Sequence, residues 1–376
     1  MRATPSQFRN FASGTLVREV EDKARERNAS EVSEQDLVKA FLDSIPVFFR
    51  GDMVKLLKDL GIDISRPKEE QAPVNNIPKM KEDMIQSANL AGVSYNEMLI
   101  DKILKAYETS FAGSHTCISF GTTTKRVEHR GLSIYIVDVY NQFDPFEIAK
   151  QNQLLVNHDS PIELFVQEVK TRVQRLGFGL EFGVMTGMEQ INVMCATHIP
   201  QTVEQVLALG SAPDSVRANI PFLKKYQLKY LSVVGVNYLK NMITFQFVTN
   251  QLSDFTVEYI ESMLEELGYK VPAKTILEIC LKAVLISIDF SATKKQPDSI
   301  SFKMCAESID EVPKNLNSFV ENYAVNAPFR SDKKKYMYII TFTRSGQFLK
   351  IQNDYSGTSV DSLSGPFNQK ANGKDS

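Results

Sequence analysis

The chain predicts an α+β fold, a ten-stranded antiparallel barrel of repeated α-β-β units with helices outside, preceded by a small N-terminal helical module. Three observations lead there. From about Ile77 to Gly357 one unit recurs five times: an amphipathic helical stretch, then two strands of alternating apolar and polar residues that meet at a tight turn. Each hairpin is preceded by enough helix to cover its apolar face, which sandwich folds do not usually interpose between hairpins. The period, roughly fifty to sixty residues, is too long for most solenoids, whereas a closed ring of covered hairpins leaves no strand edge unpaired.

Residues 1–64 read as the helical module. Ser33 to Asp36 resembles a capping box ahead of Leu37, Ala40 and Phe41, and Leu56, Leu57 and Leu60 continue a stripe that stops at Gly61. Residues 65–79 are rich in proline and charge and read as a linker; residues 358–376, polar and glycine-bearing, read as a flexible tail. Between them lies the barrel, 80–357. Its helices are expected at Met80 to Ala91, Tyr95 to Phe111, Pro145 to Val156 with Pro161 to Arg175, Thr202 to Leu209 with Asp214 to Tyr226, Asp254 to Leu267, and Pro313 to Ala324. The hairpin turns fall near Glu128, Gly187, Leu239, Lys295 and Ser345. The clearest hairpins pair Leu228 to Asn237 with Asn241 to Val248, and Tyr336 to Thr343 with Gln347 to Tyr355.

Composition narrows the function classes. A net charge of −2 provides no basic field for nucleic acid. Cys117, Cys195, Cys280 and Cys305 are scattered, without zinc-site spacing or disulfide density, and no signal peptide or membrane span is visible, so a cytoplasmic setting is expected. His115, His129, His158 and His198 are isolated and show no metal-ligand spacing. The glycines of Gly177 to Gly183 fit neither the dinucleotide fingerprint nor the P-loop, and they run into a strand instead of opening a helix.

Neighbouring side chains on a strand point to opposite faces, so alternation assigns an outside and an inside. Ile300, Phe302, Met304 and Ala306 belong under a helix; Ser299, Ser301, Lys303 and Cys305 then face the lumen. The same division puts Ile243, Phe245 and Phe247 outside, and Lys240, Thr244 and Gln246 inside. On the last hairpin the inward set is Lys335, Met337, Lys350, Gln352 and Asp354. Lys240, Lys303, Lys335 and Lys350 would converge from separate strands, although each taken singly also fits a solvated strand-end lysine. Converging ammonium groups call for an anion, naturally a phosphate or diphosphate.

The segment FTRSGQFLKIQNDYSG, Phe342 to Gly357, resembles the last hairpin of the soluble aromatic prenyltransferases of the α-β-β-α type, the ABBA fold or PT barrel. Its RSG turn, its lysine and its Tyr-x-Gly are similar to the magnesium-independent branch that includes the clorobiocin and novobiocin enzymes. TTTKRVEHRGLSIYI, Thr122 to Ile136, and ENYAVNAPF, Glu321 to Phe329, add weaker likenesses.

The resemblance implies an enzyme of secondary metabolism, a transferase of alkyl groups that moves dimethylallyl or geranyl from its diphosphate to an electron-rich aromatic small molecule. It assigns diphosphate binding and catalysis to Lys240 and Lys350; Lys303 and Lys335, turned inward by the alternation, would assist from neighbouring strands. Ser133 stands where the magnesium-dependent branch places an aspartate, which implies no metal, and no cofactor is expected. Departures from the pattern are Gln190 for a basic residue, Ser299 for an arginine, Tyr135 where the related branch has arginine, and Asn192 and Gln246 at aromatic shield positions.

The expected acceptor pocket is Ser133, Tyr135, Gln190, Asn192, Ser232, Thr244, Gln246, Ser299, Ser301 and Gln352, residues that also suit a hydrated lining. Asp354 either takes the proton lost as the ring regains aromaticity or pairs with a lysine. Two rivals stay open: a cyclase or rearrangement enzyme on the same barrel that uses no diphosphate, and a non-catalytic ligand-binding barrel. In the second, the N-terminal helices recruit a protein partner.

Overall fold

In a computed structural model of the chain, the residues described are 76–111, 116–125, 130–138, 144–155, 161–173, 175–195, 201–249, 252–313, 316–331 and 334–357. The expected N-terminal module, nearly all of the linker, the tail, and the turn at Glu128 lie outside them.

Eleven strands follow in chain order: β1 (Thr116–Thr123), β2 (Leu132–Asp138), β3 (Arg175–Gly183), β4 (Gly187–Cys195), β5 (Gln201–Thr202), β6 (Tyr230–Asn237), β7 (Met242–Val248), β8 (Leu285–Ser291), β9 (Ser299–Ala306), β10 (Tyr336–Thr343) and β11 (Gly346–Ser356). They run β4-β3-β2-β1-β11-β10-β9-β8-β7-β6, and an antiparallel β4–β6 pairing, Gln190 opposite Asn237 through Met194 opposite Val233, closes the ring. Ten strands therefore form a barrel, and the two-residue β5 pairs only with β6. The pairs β3/β4, β6/β7, β8/β9 and β10/β11 are hairpins that turn at one end of the barrel; the helical connections leave from the other.

The alternation assigns the outer face as expected. Ile300, Phe302, Met304 and Ala306 on β9, and Ile243, Phe245 and Phe247 on β7, are all buried under the helical jacket. Phe302 meets Phe255 and Phe342 there, at ring separations of 6.4 and 5.9 Å. Burying one such side chain contributes about 1.5–3 kcal/mol, so the layer between helices and strands carries most of the stability.

Most helices begin later or end earlier than the sequence pattern suggests. The span expected from Asp254 is Val257–Glu266, because the Thr256 side chain accepts the Tyr259 backbone N–H at 3.2 Å and fixes the start. The first helix is instead longer: Ile77–Ala91 takes in the end of the expected linker. Asn76 caps it by accepting the Lys79 N–H at 3.1 Å, and Pro78 occupies the first turn, where a missing N–H costs nothing. Lys274–Cys280 is a helix that the sequence reading lacks; at two turns, with Leu277 and Cys280 buried, it is too short to show a stripe.

One buried carboxylate joins this jacket to the ring. Asp83, on the first helix, accepts from the Tyr355 hydroxyl of β11 at 2.8 Å and lies 3.3 Å from Arg330 Nε and 3.1 Å from Lys79 Nζ. The contact holds the helix against the strand that carries Lys350.

Candidate active site

The inward faces enclose a cavity of about 1010 Å³, lined by every ring strand. Lys240, Lys303 and Lys350 line it, as do Ser133, Tyr135, Gln190, Asn192, Ser232, Thr244, Gln246, Ser299, Ser301 and Gln352. The structure thus brings the expected acceptor residues and three of the four lysines to one space. It does not bring Lys335 or Asp354 there. Lys335 precedes β10 and pairs with Glu307 at 2.7 Å, while the Asp354 carboxylate is buried and accepts from the Ser119 hydroxyl at 3.0 Å. Both lie on the inward face yet beyond the depth of the cavity. The expected diphosphate ligand Lys335 and the expected catalytic group Asp354 thus stand outside the lining of this cavity.

Lys350 is held by a neighbour missing from the sequence-derived site. Its Nζ lies 3.1 Å from Glu181 Oε1, and the same oxygen accepts the Tyr135 hydroxyl at 2.6 Å. Glu181 is on β3 and Lys350 on β11, so the lysine reaches past β1 and β2. Gly121 makes this possible: it is paired with Gln352 and Ser133 and has no side chain, and a Cβ there would come within 3.1 Å of the Tyr135 ring. The ring leans over β1, and the ammonium sits 4.5 Å above its centroid, a cation–π contact. Burial, reinforced by Glu189, pushes the Glu181 carboxyl up; burial, then the charge of Lys125, pushes the Lys350 ammonium down. Neither group favours a separate charge, and at 3.1 Å a single proton satisfies both.

Lys303 rises from an apolar wall. Leu285 and Ile339 are its partners on the flanking strands, and with Val248 and Met337 they form a buried cluster facing the cavity. Burial lowers its pKa, with Glu181 and Asp289 opposing. Lys125, at the end of β1, is lowered likewise by burial and then by Lys240. Above the apolar wall lies a hydroxyl-rich one. Asp289 accepts from Thr244 at 2.7 Å and from Ser299 at 2.5 Å, and Ser301 and Thr341 share a hydrogen bond of 2.9 Å. Across the lumen the Gln190 amide donates to Asn192 at 2.6 Å.

Glu181, Asp289, Thr341 and Lys125 are thus site residues absent from the sequence-derived set. For Glu181 a signal exists: it alternates with Gly177, Gly179 and Gly183 on one strand face, three positions without side chains beside one acid. Asp289 shares the inward set of β8 with Ser287 and Ser291 in the same way.

A barrel whose lumen pairs lysines with an apolar wall and a hydroxyl-lined face is open to comparison with known families. The model of the family described as aromatic prenyltransferase Orf2 matches residues 75–367. This chain belongs to that family. It is an aromatic prenyltransferase, and so an enzyme.

Curated relatives of this prenyltransferase include 5,10-dihydrophenazine-1-carboxylate 9-dimethylallyltransferase of Streptomyces anulatus, 24% identical over 71% of this chain and 89% of the relative. The furaquinocin biosynthesis prenyltransferase of Streptomyces sp. (strain KO-3988) is 21% identical over 75% and 91%, and the flaviolin linalyltransferase of Streptomyces virginiae 23% identical over 72% and 89%. A solved structure of 5-dimethylallyl tryptophan synthase from Streptomyces coelicolor, in complex with DMASPP and Trp, aligns with a TM-score of 0.48 and 6% identity, covering 77% of this chain and 96% of that one. Among the described residues of the prenyltransferase, no helix is long and apolar enough to cross a membrane.

Proposed function

We propose that this prenyltransferase takes dimethylallyl or geranyl diphosphate as donor, holds the diphosphate with Lys350, Lys303 and Lys240, and alkylates an electron-rich aromatic ring. The observation that carries this reading is the junction of Lys303 and Lys350 with Leu285, Met337 and Ile339, which places cations beside hydrocarbon in one cavity. An allylic diphosphate has that same division. A space of about 1010 Å³ is large for one small ligand and accommodates donor and acceptor together.

In the reaction the allylic carbon–oxygen bond breaks and its electron pair leaves with the diphosphate. Lysine ammonium groups favour this step because negative charge on the leaving group grows as the bond lengthens. A π pair of the acceptor ring closes the new bond to the allylic carbon, and the ring then loses a proton, for which the departing diphosphate is an anionic acceptor. The wall of Thr244, Ser299, Ser301 and Thr341, opposite Gln190 and Asn192, orients hydroxyl or carbonyl groups of the acceptor. Relatives named as dimethylallyl and linalyl transferases support short allylic donors. The free thiols of Cys195, Cys280 and Cys305 support a reducing, cytoplasmic setting.

A screen of dimethylallyl and geranyl diphosphate against hydroxylated aromatic acceptors, read by product mass, tests the proposal. Product is expected from the native chain, lost in Lys350→Ala and retained in Lys335→Ala, whose lysine faces Glu307. Turnover without any allylic diphosphate would overturn the reading in favour of a cyclase or rearrangement enzyme.

A further inference from the structure

We infer that Glu181 is an internal stand-in for the donor's diphosphate: it holds Lys350 while the barrel is empty, and it reclaims Lys350 from the product diphosphate, which speeds that product's release. The inference rests on the reading that the diphosphate engages Lys350.

Lys350 projects into a cavity where an incoming anion would meet it, yet its ammonium is already engaged by Glu181 Oε1 at 3.1 Å and by the Tyr135 ring at 4.5 Å. A diphosphate oxygen therefore competes with a carboxylate for one ammonium. The groups facing Glu181 come from every side: Tyr135 and Ser133 from β2, Glu189 and Gln190 from β4, Lys350 from β11, Lys125 from just beyond β1, and Lys240 and Lys303 from farther around the ring. When Lys350 moves to the donor, the carboxyl loses its nearest cation while Glu189 stays. Burial already pushes that carboxyl toward its neutral form, and a neutral carboxyl tolerates the neighbouring anion. After transfer the prenyl chain no longer tethers the diphosphate to the apolar wall, and Glu181 competes with an anion held by charge alone. A carboxylate that only braced the fold would need no open cavity around its partner, and a catalytic base would need no lysine bound to it.

The exchange has a kinetic signature. Glu181→Gln removes the charge and keeps an oxygen for the Tyr135 hydroxyl. Inorganic pyrophosphate should bind this variant about tenfold more tightly, the loss of a competing pair of roughly 1.4 kcal/mol. Donor KM should fall with it, while the single-turnover rate of prenyl transfer holds and steady-state kcat drops under stronger product inhibition. Glu181→Asp, whose carboxylate falls short of Lys350, should shift in the same direction and covers the case in which the glutamine variant does not fold.

Unchanged or weaker pyrophosphate binding in both variants would overturn the inference. A slowed single turnover at unchanged affinity would overturn it too, by making Glu181 a proton acceptor. Equal tightening in Asp289→Asn, which alters a carboxylate that Lys350 does not touch, would reduce the effect to general repulsion and dismiss the exchange. If Lys350→Ala still binds pyrophosphate as the native chain does, the diphosphate reading itself falls and this inference falls with it.

Discussion

Lys350 has to be charged when a diphosphate arrives, and its surroundings work against that charge. Burial and then Lys125 bring its pKa down to about 7, and in the empty site the proton shared with Glu181, 3.1 Å away, is what keeps the ammonium in place near neutral pH. A bound diphosphate stabilises the ammonium and raises that value. Binding above about pH 7 therefore takes up a proton, and affinity, complete below that pH, falls as the pH rises until the bound-state value is reached. The ligand's own ionisation acts in the opposite direction, since pyrophosphate gains negative charge over the same range. Titrations between about pH 6 and pH 9 should show affinity weakening toward a limit of about tenfold per pH unit. Affinity that strengthens steadily with pH would mean that Lys350 stays charged throughout.

At the scale of the element, the strands place the acceptor side of the cavity through glycines. Gly235 on β6 faces Asn192 across the β4–β6 closure, and a Cβ there would lie 2.2 Å from Asn192 Oδ1 and 2.8 Å from Gln190 Nε2. Those atoms are the ends of flexible side chains, so Gly235→Ala should fold while displacing both amides. Acceptor KM is expected to rise several-fold, about 1 kcal/mol of lost hydrogen bonding, with pyrophosphate affinity unchanged. Steady-state kinetics with each substrate varied separately checks this, and equal losses for donor and acceptor would refute it. The strands themselves were readable because alternation is local: β10 has the very bounds expected, Tyr336–Thr343. Alternation reports a face and is silent about depth, which is why Lys335 and Asp354 share the inward side with Lys350 and still miss the cavity. The Glu181–Lys350 contact joins residues 169 apart in sequence, and only the closing of the ring brings them together.

At the scale of the whole molecule, the ring and its contents form one cooperative object. The β4–β6 pairing closes it, β11 carries Lys350, and Asp83 ties β11 to the first helix through Tyr355, so a ligand on Lys350 touches elements that must separate for the chain to unfold. A ligand that binds only the folded barrel stabilises it by about 2.7 kcal/mol at one hundred times its dissociation constant. For a chain of 376 residues that corresponds to a rise of about 3–4 °C in melting temperature. Geranyl diphosphate, which also covers the apolar wall of Val248, Leu285, Met337 and Ile339, should reach this shift at a lower concentration than pyrophosphate, because the hydrocarbon adds about 25 cal/mol for each Å² buried. Lys350→Ala should lose the pyrophosphate shift entirely and keep a remnant of the geranyl one. Thermal melts of both proteins with both ligands distinguish charge from hydrocarbon. If geranyl diphosphate proves no better than pyrophosphate in the native chain, the apolar wall is not where the prenyl chain lies.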